Sequence, residues 1–588
     1  MVGNFIMMRT LPAIISQGLS GPAFHALTPD DTTYEMLGVK TGTGGLTATH
    51  TADLYAPDWE GVQRAFATNE PVWSGGRVVR NLCRASNNLQ GTGWTVYDGT
   101  ADSAIQVTLN AVFDARISTA YVAGAAQIKT GIAAVTLRRL SGTGNIKIRF
   151  GDYGGGWGSI DLIINPTSSF QRLSTNVKVT TSGAVGFLLN IYNNNPAEVQ
   201  VLEIKDVQIE QIDGQTNQNP SELVPTTGAI AQKTFASTNG NTVTSNVVTE
   251  AVGTPLAEMP KLRCSADVTN STTYSRDLTN VVWTPTNMTV SKTSSGLTGE
   301  PNSACFLTAT SGNATTLHSD YTSASANHIN VMWVRRVTGT GAIELTLDGG
   351  TTWTAVTVTD TTNFTFVSIG PQSVANPVVG IRIVTSGDAI EIGNVQSQRF
   401  GNIIYHKQSG PVFTTTAAVS IDYPSYSFDI ANLHLTESVW YCEPSGVEAV
   451  GTTVTAVYMG VSDTATGAIA ANGTIMQFGN SSNVHCSHRL GPSDVVCTGR
   501  IDATENSPWK QASIYSLVAG LTTGNKDGTY WNTSTFPASA EIAFTTVYNG
   551  SYLRVGNNAS NCFTVENIQR YDITSYAEGK TIIDGLMA

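Results

Sequence analysis

Charge is what this chain has least of. Charged residues fill 13% of its 588 positions, against the ~25% usual for soluble proteins, and the formal net charge is −12. There is no basic run and no stripe of Lys or Arg interleaved with aromatics. Nothing therefore neutralises a phosphate backbone, which excludes a general nucleic-acid binder. No apolar run approaches the ~20 residues of a membrane-spanning helix, so no membrane insertion is expected. The opening "MVGNFIMMRTLPAIISQGLSGPA" lacks a charged leader followed by a long apolar segment. No secretory signal is expected, and assembly in a reducing host cytoplasm is. Heptads are missing too, so no coiled-coil stalk announces an oligomer.

Reactive chemistry is equally sparse. The seven cysteines are Cys83, Cys264, Cys305, Cys442, Cys486, Cys497 and Cys562. Their number is odd and none is spaced for zinc. They read as reduced, mostly buried thiols; a disulfide between Cys486 and Cys497 across a hairpin is the lesser alternative. No Gly-x-Ser-x-Gly elbow, Walker loop or His-Glu-x-x-His helix occurs. "GTGG" (42–45) and "SGTG" (141–144) are glycine turns in a β context. Glycoside hydrolysis needs two carboxylates flanking the bond. Glu437 and Glu443 in "ESVWYCE" share one strand face but stand about 20 Å apart at ~3.3 Å per residue. His485, Cys486 and His488 in "VHCSHR" would need further ligands to hold a metal, and on a strand the two histidines point to opposite faces. No catalytic residue, metal, cofactor or enzymatic activity is expected.

What fills the space is Gly, Ser, Thr, Asn, Val and Ala. Thr and Val favour strands, Gly and Asn favour turns, and 588 residues suggest about four units at ~150 each. The most informative feature is a repeat. "TLRRLSGTGNIKIRF" (136–150) and "WVRRVTGTGAIELTL" (333–347) share an apolar run, a Gly-Thr-Gly turn and an alternating strand. Ile146, Ile148 and Phe150 point one way while Asn145, Lys147 and Arg149 point the other, the period of two of a half-buried strand. "SNNLQGTGW" (86–94) matches "SRDLTNVVW" (275–283), "LEIKDVQ" (202–208) matches "IEIGNVQ" (390–396), and "SELVPTTG" (221–228) matches "SGPVFTTT" (409–416). Four matches in one order define a duplicated module.

The expected fold is all-β: tandem antiparallel sandwiches of the jelly-roll type with an extended N-terminal arm. Residues 1–80 form the arm, ordered only against a partner. Residues 81–228 are the first jelly-roll copy, 229–269 a Thr- and Asn-rich connector, 270–416 the second copy, and 417–588 a third sandwich. "VRNLC" and "PKLRC" end the stretches before the two copies, which reads as a similar extended arm entering each. The closing "ITSYAEGKTIIDGL" reads as a short capped helix or turn.

Sugar binding would use exposed aromatics stacked on pyranose rings, with polar groups for the hydroxyls. Tyr153 and Trp157 in "GDYGGGWGS", Trp353 in "LDGGTTWTA", and Tyr530 and Trp531 in "KDGTYWNTS" all sit beside Gly-rich turns, where loops carry function. The repetition of Trp157 and Trp353 after the same hairpin equally fits core packing. Trp94 and Trp283 are assigned to the core.

"THTADLYAPDWEGVQRAFATNEPVWSGGRVVRNL" followed by "SNNLQGTGW" resembles the segment of bacteriophage appendage proteins in which an extended arm leads into a jelly roll. "VLEIKDVQIEQIDGQTNQNPSELVPTTG" is similar to the end of such a jelly roll, and "YLRVGNNASNCFTVENIQRYD" to the last strands of laminin-G or concanavalin-A-like lectin domains. "RNLCRAS" departs from the pattern, since an aliphatic residue is common after Asn-Leu. The resemblance implies a structural virion protein of the tail-fibre, tail-spike or head-fibre type, with carbohydrate-binding-module-like sandwiches. It further implies an arm that docks on other virion proteins, host cell-surface glycan as partner, a homo-oligomer (a trimer) and a place on the virion surface. The alternatives are a capsid decoration without a specific ligand and a polysaccharide depolymerase; the missing carboxylate pair weighs against the latter.

Overall fold

The period-two pattern of the repeat decides both sandwiches. In the computed structural model Ile146, Ile148 and Phe150 are fully buried, and Phe150 stacks on Phe187 with ring centroids 5.3 Å apart. Leu189 and Ile191 complete that side of the core, and Val107, Leu137, Leu202 and Ile204 come from the facing sheet. The second copy buries Ile343, Leu345 and Leu347 among Leu307, Ile381, Ile383, Ile390 and Ile392 in the same way. The turn that starts each strand carries Gly142 at φ +94° and Gly339 at φ +82°. Only glycine takes that backbone without strain, which is why the Gly-Thr-Gly string recurs.

The structure describes residues 22, 24–41, 45–122, 128–154, 158–264, 268–318, 322–400, 410–421, 424–434, 438–445, 456–462, 473–479, 483–490, 493–500, 511–516, 520–524, 549–555, 563–572, 578, 581 and 582.

The two copies share a strand order. One sheet of the first runs Ser159–Ile164, Ile146–Tyr153, Gly186–Asn193, Arg116–Val122, Trp94–Tyr97; its counterpart runs Thr354–Val356, Ile343–Thr346, Val379–Ile383, Ala314–His318, Trp283–Thr286. The facing sheets run Gln171–Ser174, Thr130–Ser141, Gln200–Gln211, Gln106–Leu109, Gly99–Ala101 and Thr365–Val374, Ala326–Thr338, Ala389–Phe400, Ala304–Ala309, Met288–Ser294. Every pairing named is antiparallel, and the order matches position by position. The repeated Arg and Glu residues meet across this ladder: Arg138 Nε donates to Glu203 Oε2 at 2.5 Å and Arg335 Nε to Glu391 Oε2 at 2.6 Å. Trp283 is buried and Trp94 is half-buried against its core; their indole N–H groups donate to the carbonyls of Tyr274 and Ala85.

The N-terminal segment, expected as an arm ordered only against a partner, pairs with this chain's own far end. Phe24–Pro29 forms a hairpin with Met36–Thr41 and lies against Phe563–Asp572, which also pairs with Ser438–Ser445. Leu46–Thr49 adds an edge to a second sheet through Ser425–His434. These strands are short and weakly patterned, so local sequence could not place partners more than 370 residues away. Tyr426 ties the parts together: its buried hydroxyl accepts from Val72 N at 3.2 Å and donates to Arg263 O at 2.9 Å.

"PKLRC" is not the counterpart of "VRNLC". Lys261–Cys264 pairs with Phe563–Asp572 and with Trp73–Ser74. The counterpart of Arg77–Asn81 is Val268–Asn270: each pairs with a strand just past its own module, Ala231–Phe235 and Val419–Ile421. Ending both strings in cysteine was coincidence; the asparagine is the shared element. At the C-terminus, Glu578, Thr581 and Ile582 are helical.

Candidate functional site

The side chains that alternate away from the first core form an ordered outer face. Register across the five-stranded sheet puts Tyr97, Arg116, Tyr192, Lys147 and Ile163 in one row. The next row is Thr95, Ser118, Asn190, Arg149 and Asp161. Cross-strand neighbours on one face lie within reach of each other, and here they interlock. The Arg116 guanidinium lies 4.0 Å over the Tyr97 ring and 5.6 Å from that of Tyr192. Lys147 Nζ is 4.4 Å and the Arg149 guanidinium 5.5 Å from the Tyr192 ring.

Carboxylates fix two of the three cations. Arg149 donates through Nε and Nη2 to the two oxygens of Asp161 at 2.7 and 2.8 Å. These hydrogen bonds hold the Asp161 carboxyl below its ordinary range and raise Arg149 further. Arg116 Nη1 donates to Asp114 Oδ2 at 2.5 Å. Lys147 has no carboxylate partner among the described residues, so the face carries one uncompensated positive charge beside the buried Tyr192 ring, in a row that ends in Tyr97, 43% exposed. Such a face offers a ring for stacking and fixed donors on Arg116, Lys147 and Arg149, while Asn190 and Ser118 lie buried beneath them. It presents no nucleophile–base pair.

The second copy keeps the sheet and loses the ladder. Its equivalent row is Thr286, Thr315, Arg382, Glu344 and Ala355. Arg382 is consumed internally, by Glu344 and by the Trp353 ring 4.6 Å from its guanidinium.

Of the aromatics singled out in the sequence, Tyr153 ends the strand that carries Lys147 and Arg149 and shares their face, 38% exposed. Trp353 immediately precedes Thr354–Val356, the edge strand of the other copy's equivalent sheet, and is half-buried against Arg382, so the structure does not bring it together with Tyr153. Trp157, Tyr530 and Trp531 lie outside the described residues. Tyr97, Arg116 and Tyr192 were missed. Only the outward alternation of Lys147 and Arg149 hinted at this face. Glu437 also lies outside the described residues, and Glu443 is on Ser438–Ser445. His485 and His488 are on Asn483–Leu490, where the register sets them opposite Thr498 and Val495 and sets Cys486 opposite Cys497. Among the described residues no group of three or more His, Cys, Asp or Glu could hold a metal.

No protein-family model and no curated protein matches the chain. Among solved structures it is similar to the N-terminal CBM22-1–CBM22-2 tandem domain from Paenibacillus barcinonensis Xyn10C, at 11% identity and TM-score 0.21, over 54% of this chain and 98% of that one. It is also similar to truncated AlyQ with CBM32 and alginate lyase domains, at 9% identity and TM-score 0.18, over 52% and 98%. A third likeness, to arabinofuranosyltransferase AftD from Mycobacteria (mutant R1389S), has 9% identity and TM-score 0.15 over 96% and 42%. Likeness at this level assigns no site and no ligand.

Proposed function

We infer that this chain is a non-enzymatic phage virion appendage that attaches to host cell-surface glycan through the outer face of its first jelly roll. The observation that carries the glycan reading is the difference between the copies. Their cores and strand orders match, yet only the first builds the Tyr97–Arg116–Tyr192–Lys147 row on its outer face. A fold requirement would be met by the second copy's Thr286–Thr315–Arg382–Glu344 row just as well. Tyr97 would stack on a sugar ring, the Arg116 and Arg149 guanidinium groups would meet hydroxyls, and Lys147 would face an acidic group of the polymer. The second copy then serves as a spacer, and the appendage assembles as a homotrimer that docks on other virion proteins.

The test is a glycan array probed with the intact protein. Wild type should bind, and Tyr97→Ala with Lys147→Ala should lose the signal. Retention of the full signal by that double variant would sink the assignment to this face. Release of reducing sugar from host polysaccharide would replace the attachment reading with that of a depolymerase. Immunogold microscopy with antibody to residues 417–588 tests the virion role: label at a fibre or tail tip supports it, label spread over the head favours a capsid decoration, and no label on any particle removes the virion role. Sedimentation of the purified protein reads the subunit count.

A further inference from the structure

A second ligand-sized feature lies outside both sandwiches. A cavity of about 180 Å³ opens between the turn after Leu54–Pro57, the start of Arg77–Asn81, and the segments that follow Gln200–Gln211 and Ala231–Phe235. Asp58, Trp59, Glu60, Arg77, Asn217 and Asn239 are among its lining residues. The cavity is well below the ~300–1,000 Å³ of sites for drug-sized ligands, and its size suits one sugar ring.

Its walls are fixed by the chain's own hydrogen bonds. Asp58 Oδ1 accepts from the backbone N–H groups of Glu60 and Val62 at 2.8 and 2.9 Å, and Oδ2 accepts from Arg64 at 2.7 Å. Gly61 takes φ +81° to close that turn. Glu60 Oε1 accepts from Thr216 N at 3.0 Å, which ties the turn to the opposite wall. Asn217 Nδ2 donates to Asn239 O at 3.0 Å, and Asn239 Nδ2 to Asn219 O at 2.8 Å. The turn so held presents Trp59 with 42% of its surface exposed. Pre-ordered walls lower the entropy lost on binding.

One group then lacks a use within the fold: Trp59 is a large ring left partly exposed beside a cavity. Arg77, by contrast, is 5% exposed and committed to the fold, its Nε donating to Ser237 O, its Nη2 to both oxygens of Glu222, and its guanidinium lying 4.8 Å over the Phe235 ring. Charge sets the ligand class. Asp58 is neutralised by Arg64 and Arg77 by Glu222, while Glu60 has no cationic partner among the described residues. The rim is net negative, which disfavours sialic or uronic acids.

We propose that this cavity binds one neutral pyranose residue, stacked on Trp59, with its hydroxyls toward the polar wall of Gln215, Thr216 and Asn217. The site rests on the glycan-attachment reading but uses different residues and a ligand of different charge from those of the sheet face. The experiment is saturation-transfer NMR of the full chain with the methyl glycosides of galactose, glucose, mannose and N-acetylglucosamine, with methyl glucuronide as the acidic control. At least one neutral glycoside should bind wild type. Its affinity should fall about tenfold or more in Trp59→Ala, recover in part in Trp59→Phe, and stay unchanged in Tyr97→Ala. Circular dichroism of Trp59→Ala should match wild type, and Trp59→Phe, which keeps an aromatic ring on the wall, controls for any loss of packing. Absence of binding by every neutral glycoside, preference for the glucuronide, or unchanged binding in Trp59→Ala would each overturn the proposal. Loss in Tyr97→Ala with retention in Trp59→Ala would overturn it while leaving the sheet-face reading intact.

Discussion

Asn81 and Asn270 do the same work in the two copies. Asn81 Nδ2 donates to the carbonyls of Val207 and Val224 at 3.0 and 2.8 Å, and its Oδ1 accepts from Cys83 N and Ile209 N at 3.0 and 3.2 Å. Asn270 Nδ2 donates to Val395 and Val412 at 2.9 and 2.8 Å, and its Oδ1 accepts from Thr272 N and Ser397 N at 3.0 and 3.2 Å. Each latch joins the strand leading into a module to the module's last strand and to the segment leaving it. Gln208 and Gln396 reinforce the latches by accepting from Val224 N and Val412 N at 2.8 and 3.1 Å. Ser86 with Thr226, and Ser275 with Thr414, add a further paired clasp. The "VQ" and "TT" strings that repeat in the sequence are therefore the closing hardware of the modules.

Both asparagines are fully buried, so truncation strands backbone groups away from water. At ~1–3 kcal/mol for an unsatisfied buried group, Asn81→Ala and Asn270→Ala should each destabilise their own module by about 3 kcal/mol or more. The two latches share no partner, so the double variant should be additive to within about 0.5 kcal/mol. Denaturant unfolding of the two single variants and the double variant checks both statements. A loss under 1 kcal/mol in either single variant would show that the latch is not what closes the module.

Much of the fold is legible in the sequence because it is local. The alternation at 146–150 and 343–347 marks the buried faces, and the Gly-Thr-Gly strings mark turns that need positive φ. Pairing between distant segments is not legible in this way. Phe24–Pro29 meets Phe563–Asp572 through backbone bonds that leave no sequence signature. The candidate face shows the same division. Lys147 and Arg149 are visible as outward residues on one strand, but Tyr97, Arg116 and Tyr192 join them only through cross-strand register. Trp353, conspicuous in sequence, meets Arg382, a partner no local pattern names.

Acidity should act at the junction of the two modules. Asp213 is buried; its Oδ1 accepts from Thr130 N at 2.8 Å and its Oδ2 has no partner. Burial, reinforced by Glu300, pushes its carboxyl up to about 6. The neutral form is thus favoured in the fold, so stability is greatest below the ordinary carboxylate range and is lost as pH rises through about 6. The loss is on the order of 3 kcal/mol between pH 4 and pH 8, at ~1.4 kcal/mol per pH unit of displacement. Burial also opposes ionisation of Glu300, but Lys129 at 2.8 Å and Arg276 hold it below its ordinary value, so it does not add to the loss as pH rises through about 6. Asp213→Asn should flatten the melting temperature between pH 5 and 8 and raise it at pH 8. An unchanged pH profile would remove Asp213 as the cause.

Thiol reactivity should report folding. Cys83 and Cys305 are buried and form no disulfide, and burial pushes both thiols up to about 11. At pH 8 roughly one in a thousand of these two would be thiolate, the reactive form. Iodoacetamide followed by peptide mass spectrometry should leave both unlabelled in native protein and label both in guanidinium. Native labelling within minutes would mean that the cores open far more often than their packing implies.

The N-terminal strands should matter to the far end of the chain before they matter to any partner. Phe24–Pro29 covers one edge of Phe563–Asp572, and Leu46–Thr49 covers one edge of Ser425–His434. Deleting residues 1–50 would uncover both edges, and bare edges invite aggregation. That variant should become protease-sensitive across residues 425–572 while the cores around Phe150 and Leu345 keep their protection. An insertion after Asp31 lies in an exposed turn outside both ladders, whose pairs lie at Phe24–Pro29 and Met36–Thr41 and at Leu46–Thr49, and it costs only the local cap of Asp30 Oδ1 on Thr32 N and Thr33 N. The insertion should therefore fold normally. Comparing the two variants separates docking from folding: if residues 1–80 anchor the protein on the virion, the insertion should lower incorporation into particles without changing the proteolysis pattern. Normal incorporation of the insertion, with failure of the deletion alone, would assign these strands to the sandwich and not to the anchor.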